Sequence, residues 1–234
     1  MSVAENIKAV RKRMELAAGR FGRTIDDVTL MAVTKAFAPE VIREAYEQGL
    51  RLFGENKVQE FAAKAGKLAD LAHAEWHLIG SLQSNKAARA AELFHAIDSV
   101  DSLKLAQKLN ATAEKLKKRI PVLIEVNIAG EKNKGGIVPE SKELQQLLEA
   151  AASLAGLDFR GLMTIPPMAN DPQASRPHFR RLRQLRDDIE SRHWKNIRMD
   201  VLSMGMSHDY EVAIEEGSTC IRLGTAVLGE RPGK

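Results

Sequence analysis

The stretch Val28-Thr29-Leu30-Met31-Ala32-Val33-Thr34-Lys35 decides the reading of this chain of 234 residues. It is an apolar, strand-like run that stops at a lysine. Side chains on a strand alternate faces, so Met31, Val33 and Lys35 share one side and Ala32 and Thr34 the other. A buried strand has little use for an ammonium group at its end. Burial disfavours the charged form and turns a lysine into a nucleophile toward aldehydes, able to form a Schiff base. The plainer alternative is a surface lysine with its stem packed and its head in water. The segments that follow decide between the two.

Seven more runs of the same kind succeed it: Arg51–Gly54, Trp76–Ile79, Ala96–Val100, Val122–Ile128, Phe159–Ile165, Asp200–Met204 and Thr219–Gly224. Between them lie stretches with helical periodicity, at Pro39–Gly49, Lys57–Ala72, Ser84–Leu93, Asp101–Lys118, Pro139–Ala155, Ala174–His193 and Asp209–Glu216. An extra helix, Val3–Arg20, precedes the first strand. Ser84 and Asp101 suit N-cap positions, and Gly217 a C-terminal stop. Strands that alternate with helices at this spacing imply parallel βαβ units. Eight of them point to a single (β/α)8 TIM barrel over residues 1–234. A doubly wound open sheet is the alternative, but no glycine-rich dinucleotide loop follows any strand.

Composition narrows the function classes. Hydrophobic residues make up 44% and charged residues 28%, the proportions of a globular protein. No apolar run approaches the roughly 20 residues that span a bilayer. Met1 to Phe21 is studded with charge and lacks the apolar centre of a signal peptide. One cysteine, Cys220, excludes an internal disulfide framework and a multi-cysteine zinc site. These features lead to the expectation of a cytoplasmic protein without a membrane or metal. The net charge of +4 is mild. Its concentrations at Lys104–Arg119 and Arg176–Arg198 read as solvated helix faces, not a nucleic-acid surface, because no aromatic stacking pattern accompanies them. His73, His95, His178, His193 and His208 show no metal-ligand spacing.

A barrel of this type builds its site at the C-terminal strand ends. In order these carry Lys35; Gly54-Glu55-Asn56; His77 to Gly80; Glu125 and Asn127; Met163 and Thr164; Ser203-Met204-Gly205-Met206-Ser207; and Arg222-Leu223-Gly224-Thr225. The loops after strands seven and eight are where such barrels often bind phosphate. Gly205 and Gly224 let backbone N–H groups approach an anion, while Ser203, Ser207 and Thr225 add hydroxyls. Arg222 can only donate hydrogen bonds. Against the nitrogen of a pyridine ring it would favour the unprotonated form and weaken the ring as an electron sink. An acidic partner is the more familiar choice for strong carbanion chemistry. A phosphorylated pyridine aldehyde held by Lys35, Arg222 and Gly224-Thr225 is pyridoxal 5′-phosphate.

The segments AVTK (Ala32–Lys35), FGENKVQE (Phe53–Glu60), WHLIGSLQSNK (Trp76–Lys86), IDSVD (Ile97–Asp101), NKGGI (Asn133–Ile137), RGLMTI (Arg160–Ile165), LSMGMSHD (Leu202–Asp209) and IRLGTAVLG (Ile221–Gly229) together resemble the pyridoxal phosphate homeostasis protein family. The resemblance runs from about Val28 to Gly229. It implies a barrel like the N-terminal domain of alanine racemase. It implies Lys35 as an internal aldimine with pyridoxal phosphate, Arg222 at the ring nitrogen, and Gly224, Thr225 and the loop Ser203, Gly205, Met206 and Ser207 at the phosphate. It further implies Asn56, His77 and Met163 as pocket lining, and Lys134 in a basic loop that receives or delivers cofactor. Leu228 stands where the family often has an aromatic residue.

Racemisation needs a base on each face of the bound amino acid. Lys35 supplies one. Tyr46 and Tyr210, the two tyrosines, both fall in helical patterns, and little sequence follows Gly229. The expectation is therefore a monomeric cofactor carrier, with apo-enzymes as its recipients and without catalytic residues of its own. A slow racemase is the alternative.

Overall fold

Eight parallel strands close into a barrel in chain order. The computed structural model describes residues 2–132 and 134–230, so Asn133 of the NKGGI segment and the ends of the expected 1–234 domain lie outside the described residues. The strands are β1 (Thr29–Val33), β2 (Leu52–Glu55), β3 (Glu75–Leu78), β4 (Ala96–Val100), β5 (Ile120–Glu125), β6 (Leu157–Met163), β7 (Ile197–Ser203) and β8 (Cys220–Leu223). The last closes on the first, from Thr29 opposite Cys220 to Ala32 opposite Leu223. The helices are α1 (Val3–Gly19), α2 (Pro39–Glu47), α3 (Val58–Ala65), α4 (Ala87–Leu93), α5 (Leu103–Lys115), α6 (Lys142–Ala150), α7 (Arg176–Ser191), α8 (Tyr210–Glu215) and α9 (Thr225–Leu228). This is the fold expected of the sequence, including the extra first helix.

Alternation along each strand sorts side chains between two apolar regions. Ala32, Phe53, Trp76, Ile97, Val122, Phe159, Leu162, Leu202, Ile221 and Leu223 face outward and join the helices in the main core. Phe53 stacks on Trp76 at 4.9 Å, and Phe61 of α3 packs on Trp76 at 4.8 Å. Met31, Val33, Ile79 and Cys220 face inward and form a separate small cluster inside the barrel. A residue of the Leu or Phe class contributes roughly 1.5–3 kcal/mol on full burial, so the outer ring carries most of the stabilisation.

The local signals explain the element ends. Ser2 and Glu5 form a capping box on α1, with Ser2 Oγ accepting from the Glu5 N–H at 3.2 Å and the Glu5 carboxylate accepting from the Ser2 N–H at 2.8 Å. Pro39 opens α2. Helix α5 is capped by Ser102, whose Oγ accepts from the Leu105 N–H, not by Asp101 as the pattern suggested. Helix α4 begins at Ala87, because Ser84–Lys86 wind as a tighter 3-10 turn. Strands β6 and β7 start two and three residues earlier than the apolar runs indicated. The register of β6 slips between Phe159 and Gly161, marking a bulge in that strand. Among the described residues, no helix is long and apolar enough to cross a membrane.

Candidate functional site

At the C-terminal mouth, Lys35 follows β1 in a tight turn closed by the Phe37 N–H on the Thr34 carbonyl at 3.1 Å. Ala36 adopts φ +64, so the chain reverses sharply just past the lysine. Lys35 is half-buried. A charged network underpins this turn. Lys64 of α3 donates from Nζ to the Thr34 carbonyl at 2.9 Å and lies 2.7 Å from Glu55 Oε1. The Thr34 hydroxyl donates to the same Glu55 oxygen, and the Ala36 N–H donates to Glu60 Oε1 at 2.5 Å. Burial raises the Glu55 carboxyl above its ordinary range, with Lys64 pulling it back. Lys64 and Glu55 carried no signal in the sequence. An ordinary helix lysine and the end residue of a short strand look the same whether buried or not.

Arg222 lies inside the barrel and is 3% exposed. Its Nη1 donates to Ser203 Oγ at 2.7 Å and its Nη2 to the Thr164 carbonyl at 2.8 Å. Both partners close the C-terminal ends of their strands, so the guanidinium is fixed at that end of the lumen. Burial lowers its pKa from the ordinary arginine value, against the pull of Cys220 and nearby carboxylates. Ser203 therefore differs from the expectation of a phosphate-loop donor. It is the last residue of β7, is fully buried, and spends its oxygen on Arg222.

The rest of the loop matches a narrow turn. Gly205 has φ +97, and a Cβ there would sit 2.6 Å from Ala213 Cβ and 3.0 Å from Tyr210 Cα, so only glycine fits. The Met206 N–H donates to Asp209 Oδ1 at 2.8 Å. Ser207 Oγ accepts from the Ala226 N–H at 3.5 Å and joins the loops that follow β7 and β8. The backbone N–H groups of Ser207, His208 and Thr225 have no hydrogen-bond partner among the described residues. Gly224 precedes α9 at φ −100 and ψ −89. Asn56 follows β2 and is half-buried; its carbonyl and side chain press on Gly80, where a Cβ would come within 2.2 Å of the Asn56 carbonyl oxygen. Met163 is fully buried, with Glu125 and Ser203 beside it in register.

Two further residues belong to this mouth. Glu125 is 7% exposed, and its Oε2 has no hydrogen-bond partner. Burial, then Asp101, push its carboxyl up to about 7, with Arg222 opposing. Asn127 holds Glu131 and Lys134, on a strap across the end of β5. Its Nδ2 donates to the Glu131 carbonyl at 2.9 Å and the Lys134 carbonyl at 3.3 Å, and its Oδ1 accepts from the Glu131 N–H at 3.1 Å. Val126 and Ile137 pair as a parallel bridge. Lys134 forms an exposed ion pair with Glu131 at 2.5 Å. Strand parity put Glu125 and Asn127 on one face, and the resemblance implied a basic loop at Lys134, but nothing in the sequence tied that loop to Asn127.

His77 is set apart from these groups. Its Nδ1 lies 3.0 Å from Asp98 Oδ1, and its ring lines a cavity of about 640 Å³ at the N-terminal mouth with Thr29, Leu52, Glu75, Ala96, Leu123, Arg160 and Cys220. Among the described residues, no group of three or more His, Cys, Asp or Glu side chains is placed to hold a metal.

Comparison with known proteins agrees with this architecture. The family model for the alanine racemase N-terminal domain matches residues 3–232. The pyridoxal phosphate homeostasis protein of Aquifex aeolicus is 45% identical over 231 residues, covering 99% of each chain. The solved structure of PipY from Synechococcus elongatus, with pyridoxal phosphate bound, superposes with a TM-score of 0.85 at 35% identity, over 97% of this chain and all of that one. Alanine racemase of Clostridium difficile shares the fold, with a TM-score of 0.73 at 16% identity over 98% of this chain and 58% of the racemase. Matched along nearly its whole length, the chain belongs to the alanine racemase N-terminal-domain family and, within it, to the pyridoxal phosphate homeostasis proteins.

Proposed function

We propose that this protein binds pyridoxal 5′-phosphate at the C-terminal mouth and serves its homeostasis, holding the cofactor through Lys35 and buffering or delivering it. The observation that carries this reading is Arg222, pinned inside the barrel between Ser203 and the Thr164 carbonyl with its charge at the mouth. When bound, the cofactor supplies an aldehyde that condenses with amines and a ring that withdraws electrons. A donor-only guanidinium beside that ring favours its unprotonated nitrogen, so this chain holds the cofactor in its less reactive form. Lys35 supplies the amine, steadied by the Lys64–Thr34–Glu60 network beneath its turn.

The donor set fits the rest of the molecule. The N–H groups of Ser207, His208 and Thr225, with the Ser207 and Thr225 hydroxyls and the glycines at 205 and 224, make a cradle for a dianionic phosphate. Asn56 and Met163 flank the ring. Met206 shapes the loop through its bond to Asp209. The strap held by Asn127 limits water at the mouth, and Lys134 on it meets incoming cofactor. On this reading the chain is one cofactor-binding domain, a monomer in the cytoplasm, and passes the cofactor to apo-enzymes. A lone buried cysteine is in keeping with a reducing compartment.

The test is the absorption spectrum of the loaded protein, then borohydride reduction and peptide mass mapping. The reading requires a near-visible band and a cofactor mass fixed on Lys35, both lost in Lys35→Ala with the fold retained. A band that survives Lys35→Ala overturns it. Turnover of D- or L-amino acids above the rate of free cofactor would favour a racemase over a carrier.

A further inference from the structure

The N-terminal mouth of a (β/α)8 barrel is ordinarily packed shut by layers of large branched side chains. Here it holds the cavity of about 640 Å³, a volume in the range of small-molecule sites. Small side chains on inward positions leave it open: Ala96 on β4 and Cys220 on β8. Met31, Gly54 and Ile79 close the lumen above it, where a Cβ on Gly54 would lie 2.7 Å from Met31 Sδ and 3.0 Å from Ile79 Cδ1. The cavity is thus separate from the Lys35 site.

Its lining is chemically uneven. Leu52, Leu123 and Val201 form an apolar wall. Deep in the cavity, His77 pairs through Nδ1 with Asp98, which is 2% exposed. Burial works against a charge on His77, but the charge and hydrogen bond of Asp98 outweigh it and raise the imidazole pKa. The remaining nitrogen, Nε2, lies on the cavity side. Arg160 reaches the same space because it sits in the β6 bulge, a feature that re-aims a side chain at barrel rims. Its Nε is buried without a hydrogen-bond partner, and its nearest carboxylate, Asp200, is 3.7 Å from Nη2. The Arg160 charge works against a charge on His77, so the two side chains share one space. Beside them, the carboxylates of Glu75, Asp27 and Asp200 also line the cavity. Glu75 Oε2 is 3.9 Å from His77 Nε2, beyond hydrogen-bond reach.

We propose that this cavity is a second ligand site, for a free α-amino acid with an aliphatic side chain. The ligand carboxylate lies between His77 Nε2 and Arg160. The ammonium faces Glu75 and Asp200, and the side chain lies against Leu52, Leu123 and Val201. One zwitterion answers both signs of charge and the apolar wall together, which a simple anion or cation does not. No covalent step is involved.

The probe is L-leucine, titrated calorimetrically into the full-length chain freed of pyridoxal phosphate, so that its amine meets no aldehyde. Saturable one-to-one binding is expected. Removing one charged hydrogen-bonding group costs about tenfold or more in affinity, so 4-methylvalerate, isoamylamine and the Arg160→Met variant should each bind correspondingly worse. Ala96→Phe should abolish binding by filling the cavity while the cofactor band at the other mouth persists. If Ala96→Phe does not fold, Arg160→Met with a normal cofactor band decides alone. No heat with L-leucine overturns the proposal. So does leucine binding unchanged in Arg160→Met, or either singly charged analogue binding as tightly as leucine.

Discussion

Replacing Lys64 by methionine tests the network that holds the Lys35 turn. The Lys64 and Glu55 side chains are 9% and 0% exposed, and Nζ lies 2.7 Å from Glu55 Oε1 and 2.9 Å from the Thr34 carbonyl. Removing one partner of a buried ion pair costs about 3–5 kcal/mol, because the other charge stays buried alone. Glu55 has an escape, since it can take up a proton. Its folded pKa already lies above 4.5, and loss of the Lys64 attraction raises it further. A carboxyl raised in the folded state contributes most below its unfolded pKa and loses that contribution as pH rises through the folded value. Lys64→Met should therefore hurt most at high pH. At 2–4 °C per kcal/mol for a chain of this size, the melting temperature should fall by about 6–20 °C at pH 8. At pH 5, where a larger share of Glu55 is protonated in the variant, the loss should be smaller and approach that of the bond to Thr34 alone, about 1–2 kcal/mol. Circular-dichroism melts of Lys64→Met and of Lys64→Met with Glu55→Gln, at both pH values, provide the assay. The double variant should lose the pH dependence and recover much of the loss at pH 8. An equal fall at both pH values, or a double variant no better than the single one at pH 8, would refute the reasoning.

Glu125 should show the same sign of linkage on its own. With its pKa at about 7, its contribution is complete below 4.5 and declines as pH rises through 7, so Glu125→Gln should gain up to about 3 kcal/mol over the wild type at pH 8 in urea unfolding and none at pH 4.5. Gly161→Ala should prevent stable folding, because its Cβ would lie 1.8 Å from the Val201 carbonyl oxygen; a soluble variant that melts near the wild type would show that β6 and β7 can separate there. Arg222→Glu should protonate the ring nitrogen of bound pyridoxal phosphate and shift its absorption, and an unchanged spectrum would argue against contact. Burial pushes the Cys220 thiol up to about 12, so iodoacetamide at pH 8 should label it only after unfolding, as intact-mass time courses would reveal.

Strand positions were legible because apolar runs and helical stretches alternate throughout, and parity rightly grouped Met31 with Val33, which share the small inner cluster. Height along the barrel axis was not legible. Strands in a closed barrel tilt and stagger, so two inward residues at similar places in their strands can sit at different levels. His77 and Ser203 show the effect: His77 turns to the far mouth, and Ser203 lies at the end of β7 bound to Arg222, below the loop that follows. Counting by twos also fails across the β6 bulge. Phe159 faces the outer core, whereas Gly161 and Met163 line up with the inward residues of β7. Buried charge was equally invisible. Lys64 and Glu55 are separated by one helical segment and meet only because α3 folds back over the end of β2.

The interlock of Met31 and Ile79 over the missing side chain of Gly54 makes the barrel a bulkhead, not a pipe. Solvent or solute admitted at one end cannot travel through the lumen to the other. On the proposed reading, the exposure of a cofactor at Lys35 to water and to stray amines is set at the C-terminal mouth. An enlarged or altered N-terminal mouth should leave that exposure unchanged while the bulkhead stands.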